Sequence, residues 1–223
     1  MRKQKAMLLI NFKTYTQVIG PKALRLAQDL AETAQEFPQV EAGFAPPLMQ
    51  LAKVAEGVRS RIWAQHLDPT GEGKYTGYLS PAAAKAAGAY GTFLNHSEHP
   101  LDKKTIQRTA ELARASGLRV LVFADSPPKV REWANLSPNY IAYEPPELVG
   151  GNISVTTAKP EIIKEAVAAA GSIPLLVGAG VRGKKDISLA LSLGAVGAAV
   201  SSAVVTSPDP KKIFAELLSG FKG

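Results

Sequence analysis

An α/β fold, eight parallel strands closed into a (β/α)8 barrel, is predicted by three observations on this 223-residue chain. Short apolar runs alternate with longer amphipathic or Ala-rich segments about eight times, as β/α units around a parallel sheet require. Proline and glycine punctuate that alternation at the places where helices start and stop. Three of the apolar runs also end abruptly in an ionisable residue, Lys13, His96 or Glu144, which parallel neighbours would bring to one mouth.

The strand-like runs are residues 7–12, 39–45, 61–65, 89–94, 118–123, 140–143, 173–177 and 196–201. Helices are predicted at 21–36, 47–57, 81–87, 101–116, 128–135, 158–170, 184–193 and 208–219. Ser80-Pro81, Ser126-Pro127 and Ser207-Pro208 mark helix starts, because proline lacks only an amide that the first turn leaves unbonded and serine can cap the others. Pro46-Pro47 and Pro145-Pro146 stop the second and sixth strands. Gly117, Gly171 and Gly194 sit where a left-handed residue ends a helix. No linker or composition shift divides the chain, so one domain over residues 1–223 is expected. An open, doubly wound sheet uses the same alternation, but eight compact units in so short a chain favour closure.

Composition narrows the function classes. With 46% hydrophobic and 20% charged residues, the chain reads as a soluble globular protein. Its charge of +7 is spread along the predicted helices with no basic run interleaved with aromatics, which speaks against a nucleic acid partner. The absence of cysteine excludes disulfides and thiolate metal sites and fits a cytoplasmic location. Lys13 interrupts the first apolar run too early for a signal peptide, and the uncharged stretch from Ile187 to Pro208 is broken by Gly194 and Gly197, so no membrane association is expected. His66, His96 and His99 are the only histidines and show no metal-ligand spacing; His66 is expected to hydrogen-bond locally.

On an extended strand Asn11 and Lys13 share a face and Phe12 takes the other, so an amide and an ammonium point into the mouth together. His96 precedes Ser97-Glu98-His99-Pro100, where a turn can aim amide dipoles at the imidazole and favour its neutral form. Glu98 is placed either to pair with Lys13 or to act as a second acid–base group. Taken singly, a lysine at a strand end is a solvated terminus and a histidine is a satisfied core residue; the combination is what carries information.

The stretches Asn11-Phe12-Lys13-Thr14-Tyr15, Ala64-Gln65-His66, Tyr75-Thr76-Gly77, Asn95-His96-Ser97-Glu98, Tyr143-Glu144-Pro145-Pro146-Glu147-Leu148-Val149-Gly150, Gly178-Ala179-Gly180-Val181 and Ser201-Ser202-Ala203-Val204-Val205 run from the first strand to the last. In order and spacing they resemble the triosephosphate isomerase family in its compact archaeal form. The resemblance implies interconversion of glyceraldehyde 3-phosphate and dihydroxyacetone phosphate without a cofactor. It makes Glu144 the base, His96 the neutral electrophile, and Lys13 and Asn11 the groups beside the developing oxyanion. Physics asks for such convergence, since a positioned base contributes roughly 10²- to 10⁴-fold and one oxyanion donor about 3 kcal/mol.

The same resemblance assigns the substrate phosphate to Gly180, Ser201 and Ser202, and a closing lid to the segment after Glu144, with Val149 at its tip and Gly150 and Gly151 as phosphate donors. The chain departs from the family where it reads Gly150-Gly151-Asn152, which is expected to loosen the trailing hinge. It departs again at Phe123-Ala124-Asp125, where the family carries a cysteine; an effect on packing rather than chemistry is expected. Asp68 to Tyr78 matches a protruding loop that docks beside a neighbouring subunit's site, with Thr76 the candidate partner of the other copy's Asn11. A homo-oligomer, with a tetramer built as a dimer of dimers, is implied. Other phosphosugar isomerases or epimerases, and a barrel that binds phosphate without turnover, share many of these features.

Overall fold

The computed structural model describes residues 6–145 and 160–222. Its eight strands are β1 (Ala6–Asn11), β2 (Val40–Ala45), β3 (Arg61–Ala64), β4 (Gly91–Leu94), β5 (Arg119–Ala124), β6 (Tyr140–Tyr143), β7 (Leu175–Val177) and β8 (Gly197–Val200). All neighbours are parallel, and the barrel closes where β8 pairs with β1, Met7 opposite Gly197 and Ile10 opposite Val200. The helices described are α1 (Pro21–Ala34), α2 (Leu51–Gly57), α3 (Pro81–Ala86), α4 (Lys103–Ala115), α5 (Pro127–Ala134), α6 (Pro160–Ala170), α7 (Lys184–Ser192), α8 (Ser202–Val205) and α9 (Pro210–Ser219). The (β/α)8 barrel and its boundaries match the sequence reading within about two residues at most ends, as a strong alternation of periods allows.

Local chemistry explains most of the punctuation. Ser80 caps α3 by accepting the Ala83 amide at 3.2 Å, and Gly117, Gly171 and Gly194 all take positive φ. Two helix starts differ from expectation. Ser126 precedes α5, but its hydroxyl donates to Asp125 at 2.7 Å rather than capping an amide. The last helix begins at Pro210, not at Pro208, because Asp209 accepts the Lys212 amide at 3.1 Å and is the better cap. The short α8 falls between the predicted eighth strand, 196–201, and the predicted last helix, 208–219, where the sequence periodicity indicates no element.

Period-two alternation sorts the strand residues into two cores. Leu8, Ile10 and Phe12 face outward to the helices, whereas Met7 and Leu9 face into the barrel beside Trp63, Phe93, Leu121, Phe123 and Leu176. Trp63 is too large for a uniform layer and fits because glycines face it. A methyl group at Gly43 would lie 2.9 Å from Trp63 Nε1, and one at Gly91 would lie 2.6 Å from the indole and 2.7 Å from the Arg119 carbonyl. The bottom of the barrel is therefore a close-packed aromatic plug, with Tyr90 and Tyr140 meeting Trp63 edge-on. Gly91→Ala is expected to cost about 1–3 kcal/mol by overpacking. The surface control Gly71→Ala, where an added methyl meets nothing within 4 Å, should change stability by less than about 0.5 kcal/mol, both read from urea unfolding.

Candidate active site

At the C-terminal mouth of the barrel, a cleft of about 600 Å³ brings together Asn11, Lys13, His96 and Glu144 with Gly180, Ser201 and Ser202. These are residues from the ends of β1, β4, β6, β7 and β8. Val149, Gly150 and Gly151, and the altered Gly150-Gly151-Asn152 hinge, lie outside the described residues.

Lys13 reaches the cleft by a route the strand periodicity did not foresee. β1 ends at Asn11, and Lys13 takes the left-handed conformation at φ 49°, which is strained for a residue with a Cβ. Hydrogen bonds hold it there: the Lys13 amide donates to Asn11 Oδ1 at 3.0 Å, and Gln65 Nε2 reaches the Lys13 carbonyl at 3.1 Å, Asn11 Oδ1 at 3.3 Å and the Ala45 carbonyl at 3.0 Å. Phe12 packs outward against Phe44, as alternation requires. The ammonium meets Glu98 Oε1 at 2.6 Å, so of the two roles open to Glu98 the geometry provides the ion pair.

His96 follows Asn95, another left-handed residue at φ 60°. Asparagine tolerates that conformation, and here its side chain fixes it, donating to the Phe123 carbonyl at 3.0 Å and accepting the Leu101 amide at 2.9 Å. The turn that follows directs the Glu98 amide at His96 Nδ1, 3.1 Å away. An acceptor Nδ1 places the ring proton of the neutral imidazole on Nε2. Burial, with the nearby Lys13 charge, pushes the imidazole down to about 4, while Glu98 works weakly against them.

Glu144 stands next to that proton. Its Oε2 lies 3.6 Å from His96 Nε2 and accepts the Ser97 hydroxyl at 3.1 Å. The carboxyl is pushed up to about 7, chiefly by burial, with Ser97 and Lys13 opposing. Gly178 leaves room beside it, since a Cβ there would come within 3.3 Å of Glu144 Cβ. A carboxyl of raised pKa and an imidazole of lowered pKa, side by side, are suited to moving one proton near neutral pH.

Elsewhere in the cleft, Gly180 takes φ 65°, and Ser201 Oγ is buried without a hydrogen-bond partner among the described residues, an acceptor and donor open to a ligand. Arg182 also lines this part and was not singled out in the sequence, though its place directly after Gly180-Val181 was a usable signal. Gln65, Ser97 and Asn95 belong to the sequence motifs, but their roles arise only from contacts across strands. Thr76 is not among the residues lining this cleft. His66 behaves as expected, 3.3 Å from Asp68 and stacked on His99. Among the described residues no group of three His, Cys, Asp or Glu is placed to hold a metal ion, and no helix is long and apolar enough to cross a membrane.

His96 and Glu144 link stability to pH with opposite signs. From about pH 4 to 6.5 unfolded His96 holds a proton that the folded residue lacks, so it makes stability rise with pH. From about pH 4.5 to 7 folded Glu144 holds a proton that the unfolded residue lacks, so it makes stability fall. The slopes cancel where they overlap, and single variants should uncover them. Relative to the unmutated protein, Glu144→Gln should gain about 3 kcal/mol as pH rises through the glutamate window, and His96→Gln should lose a similar amount through the histidine window. Denaturant titrations from pH 4 to 7.5 measure both, and level differences would show that neither group is displaced.

A family model described as triosephosphate isomerase matches residues 6–220. Among curated proteins, the triosephosphate isomerase of Thermoplasma volcanium is 36% identical over 95% of this chain and 98% of its own. That of Methanosarcina acetivorans is 37% identical over 95% and 96%, and that of Saccharolobus solfataricus 35% over 96% and 95%. The crystal structure of triosephosphate isomerase from Bartonella henselae superposes with a TM-score of 0.79 over 99% of this chain and all of the other at 18% identity, a likeness of fold.

Proposed function

Because the chain belongs to the triosephosphate isomerase family, we propose that its cleft interconverts D-glyceraldehyde 3-phosphate and dihydroxyacetone phosphate through an enediolate, with the buried Glu144–His96 pair as the reacting groups. The observation that carries the assignment is the 3.6 Å approach of Glu144 Oε2 to His96 Nε2 in a site that displaces their proton affinities in opposite directions. Glu144 takes the proton from the carbon next to the carbonyl and returns it to the neighbouring carbon. Its affinity near pH 7 suits both steps, since a base of ordinary strength would hold the proton too weakly. Neutral His96 donates its Nε2 proton to the carbonyl oxygen as negative charge gathers there. Lys13, anchored by Glu98, and Asn11 supply further stabilisation beside that oxygen, in surroundings poor in competing water.

Gly180, Ser201 and Ser202 bind the phosphate in this reading, supported by their common place at the far side of the cleft and by the unpartnered Ser201 hydroxyl. Arg182 adds positive charge at that rim. The roles of Val149, Gly150 and Gly151 as a lid over the phosphate are carried by the sequence pattern. No cofactor enters any step. Triose phosphates are charged and membrane-impermeant, so an enzyme of glycolysis and gluconeogenesis working on them belongs in the cytoplasm with its substrate.

The same reading includes assembly with a second copy. Met49, 91% exposed, and the exposed Ile19, Tyr75 and Tyr78 leave large apolar surface open, and a pocket of about 570 Å³ lined by Leu48, His66 and His99 reaches Asn11, Lys13 and His96. The loop bearing Thr76, from Asp68 to Tyr78, has the length and, in exposed Tyr75 and Tyr78, the aromatic surface to enter that pocket in a neighbour. A dimer would thus complete the site, and pairing of dimers gives the tetramer.

Glu144→Gln should lower kcat by at least about 10³-fold with KM changed little, measured by coupling dihydroxyacetone phosphate formation to NADH oxidation by glycerol-3-phosphate dehydrogenase. Turnover close to that of the unmutated protein would remove Glu144 as the base. For assembly, Tyr78→Asp with Met49→Lys should reduce the sedimentation coefficient to that of a 23.6 kDa monomer and reduce activity with it. An unchanged coefficient would mean that this face is not the contact between copies.

A further inference from the structure

Phe123 lies near the C-terminal end of β5, buried inside the barrel mouth. Its ring crosses that of His96 at 67°, with centroids 4.7 Å apart. Beneath it, Phe93 meets it edge-on at 5.4 Å, and Phe93 rests on Trp63 at 5.8 Å. The imidazole is therefore the uppermost member of a column of rings rising from the barrel's packed floor. A side-chain hydrogen bond ties the same two segments together, since Asn95, immediately before His96, donates its side-chain amide to the Phe123 carbonyl.

Phe123 also forms part of a wall. It and Glu144 line the active-site cleft on one side and, on the other, a hollow of about 580 Å³ bounded by Asn95, Ser97 and Asp125. Glu144 already borders that hollow and His96 does not; without the ring, water from it would reach the imidazole as well. The expectation that the aromatic residue at this position concerns packing alone does not account for this placement.

We propose that Phe123 is a positioning residue for the isomerisation: its ring holds the His96 imidazole in place, seals it from the adjoining hollow and limits the solvent that reaches Glu144 beside it. The proposal rests on the reading of His96 and Glu144 as the reacting groups. The charges facing His96 are Lys13 after β1, Glu98 on its own segment after β4 and Glu144 after β6, and Phe123 brings none. Its removal changes solvation while leaving those charges in place. Burial is the largest cause of the displacement of both His96 and Glu144, so the ring that supplies part of that burial governs both. A phenyl ring can act the other way, by attracting an imidazolium to its face, and then its loss would make His96 harder to protonate.

The test uses Phe123→Leu and Phe123→Ala in the full chain, with His96 titrated by ¹⁵N NMR and kcat and KM measured across pH. Leucine keeps apolar bulk, so His96 should titrate near its original value while kcat falls about tenfold with KM within about twofold, the signature of a misplaced electrophile. Alanine admits water, so His96 should titrate about one pH unit or more higher, and the acid limb of kcat/KM, set by Glu144, should move to lower pH. An unchanged kcat in the leucine variant, or a His96 titration unmoved or lowered in folded Phe123→Ala, overturns the proposal. Should the alanine variant not fold, the leucine variant alone decides. If the unmutated protein turns over no triose phosphate, the reading of the site fails, and the NMR titration still decides whether Phe123 controls the state of His96.

Discussion

Desolvation at the mouth of the barrel is the constraint on which the rest of the structure depends. His96 is 7% exposed and Glu144 6%, and burial opposes the charged form of each. An imidazole kept neutral can give a proton to an oxygen and take it back. A carboxyl that holds its proton to near neutral pH can do the complementary work on carbon. In bulk water neither condition would hold, because hydration would return both groups to their ordinary ranges. Most features of the site can be understood as means of keeping these two residues dry, close and correctly oriented.

Rigidity comes from below and from the sides. The aromatic plug at the barrel floor is possible because Gly43 and Gly91 yield space to Trp63, and it leads upward through Phe93 and Phe123 to the imidazole. Two left-handed residues, Lys13 and Asn95, release the chain from the strands at the heights where it must turn into the cleft. Neither conformation is favourable in isolation. Gln65, Asn11 and the amide side chain of Asn95 hold them with hydrogen bonds across neighbouring strands, so backbone strain sits next to the chemistry and is restrained by it.

Much of this was legible in the sequence, though unevenly. The alternation of apolar periods located the eight strands, and the residues ending β1, β4 and β6 were identified as a set before their distances were known. Glu98 illustrates the boundary: the chain offered two roles for it, and only the 2.6 Å contact with Lys13 separates them. Lys13 illustrates another, because alternation assigned it to the right side for an incomplete reason; a positive φ rather than continued extension turns it toward the cleft. Gln65 and Ser97 were visible as letters in motifs, yet their partners lie 20 to 54 and 47 residues away in the chain.

By itself the sequence determined the barrel, its family and which ionisable residues follow the strand ends at one mouth, because hydrophobic period, helix caps and residue type are local properties of the chain. The tertiary structure decided the protonation tendencies of His96 and Glu144, the restraint on Lys13 and the place of Phe123 between cleft and hollow. Those depend on burial and on separations of a few ångströms between strands remote in sequence. Proton affinity in particular is a property of surroundings, and the surroundings exist only once the barrel has closed.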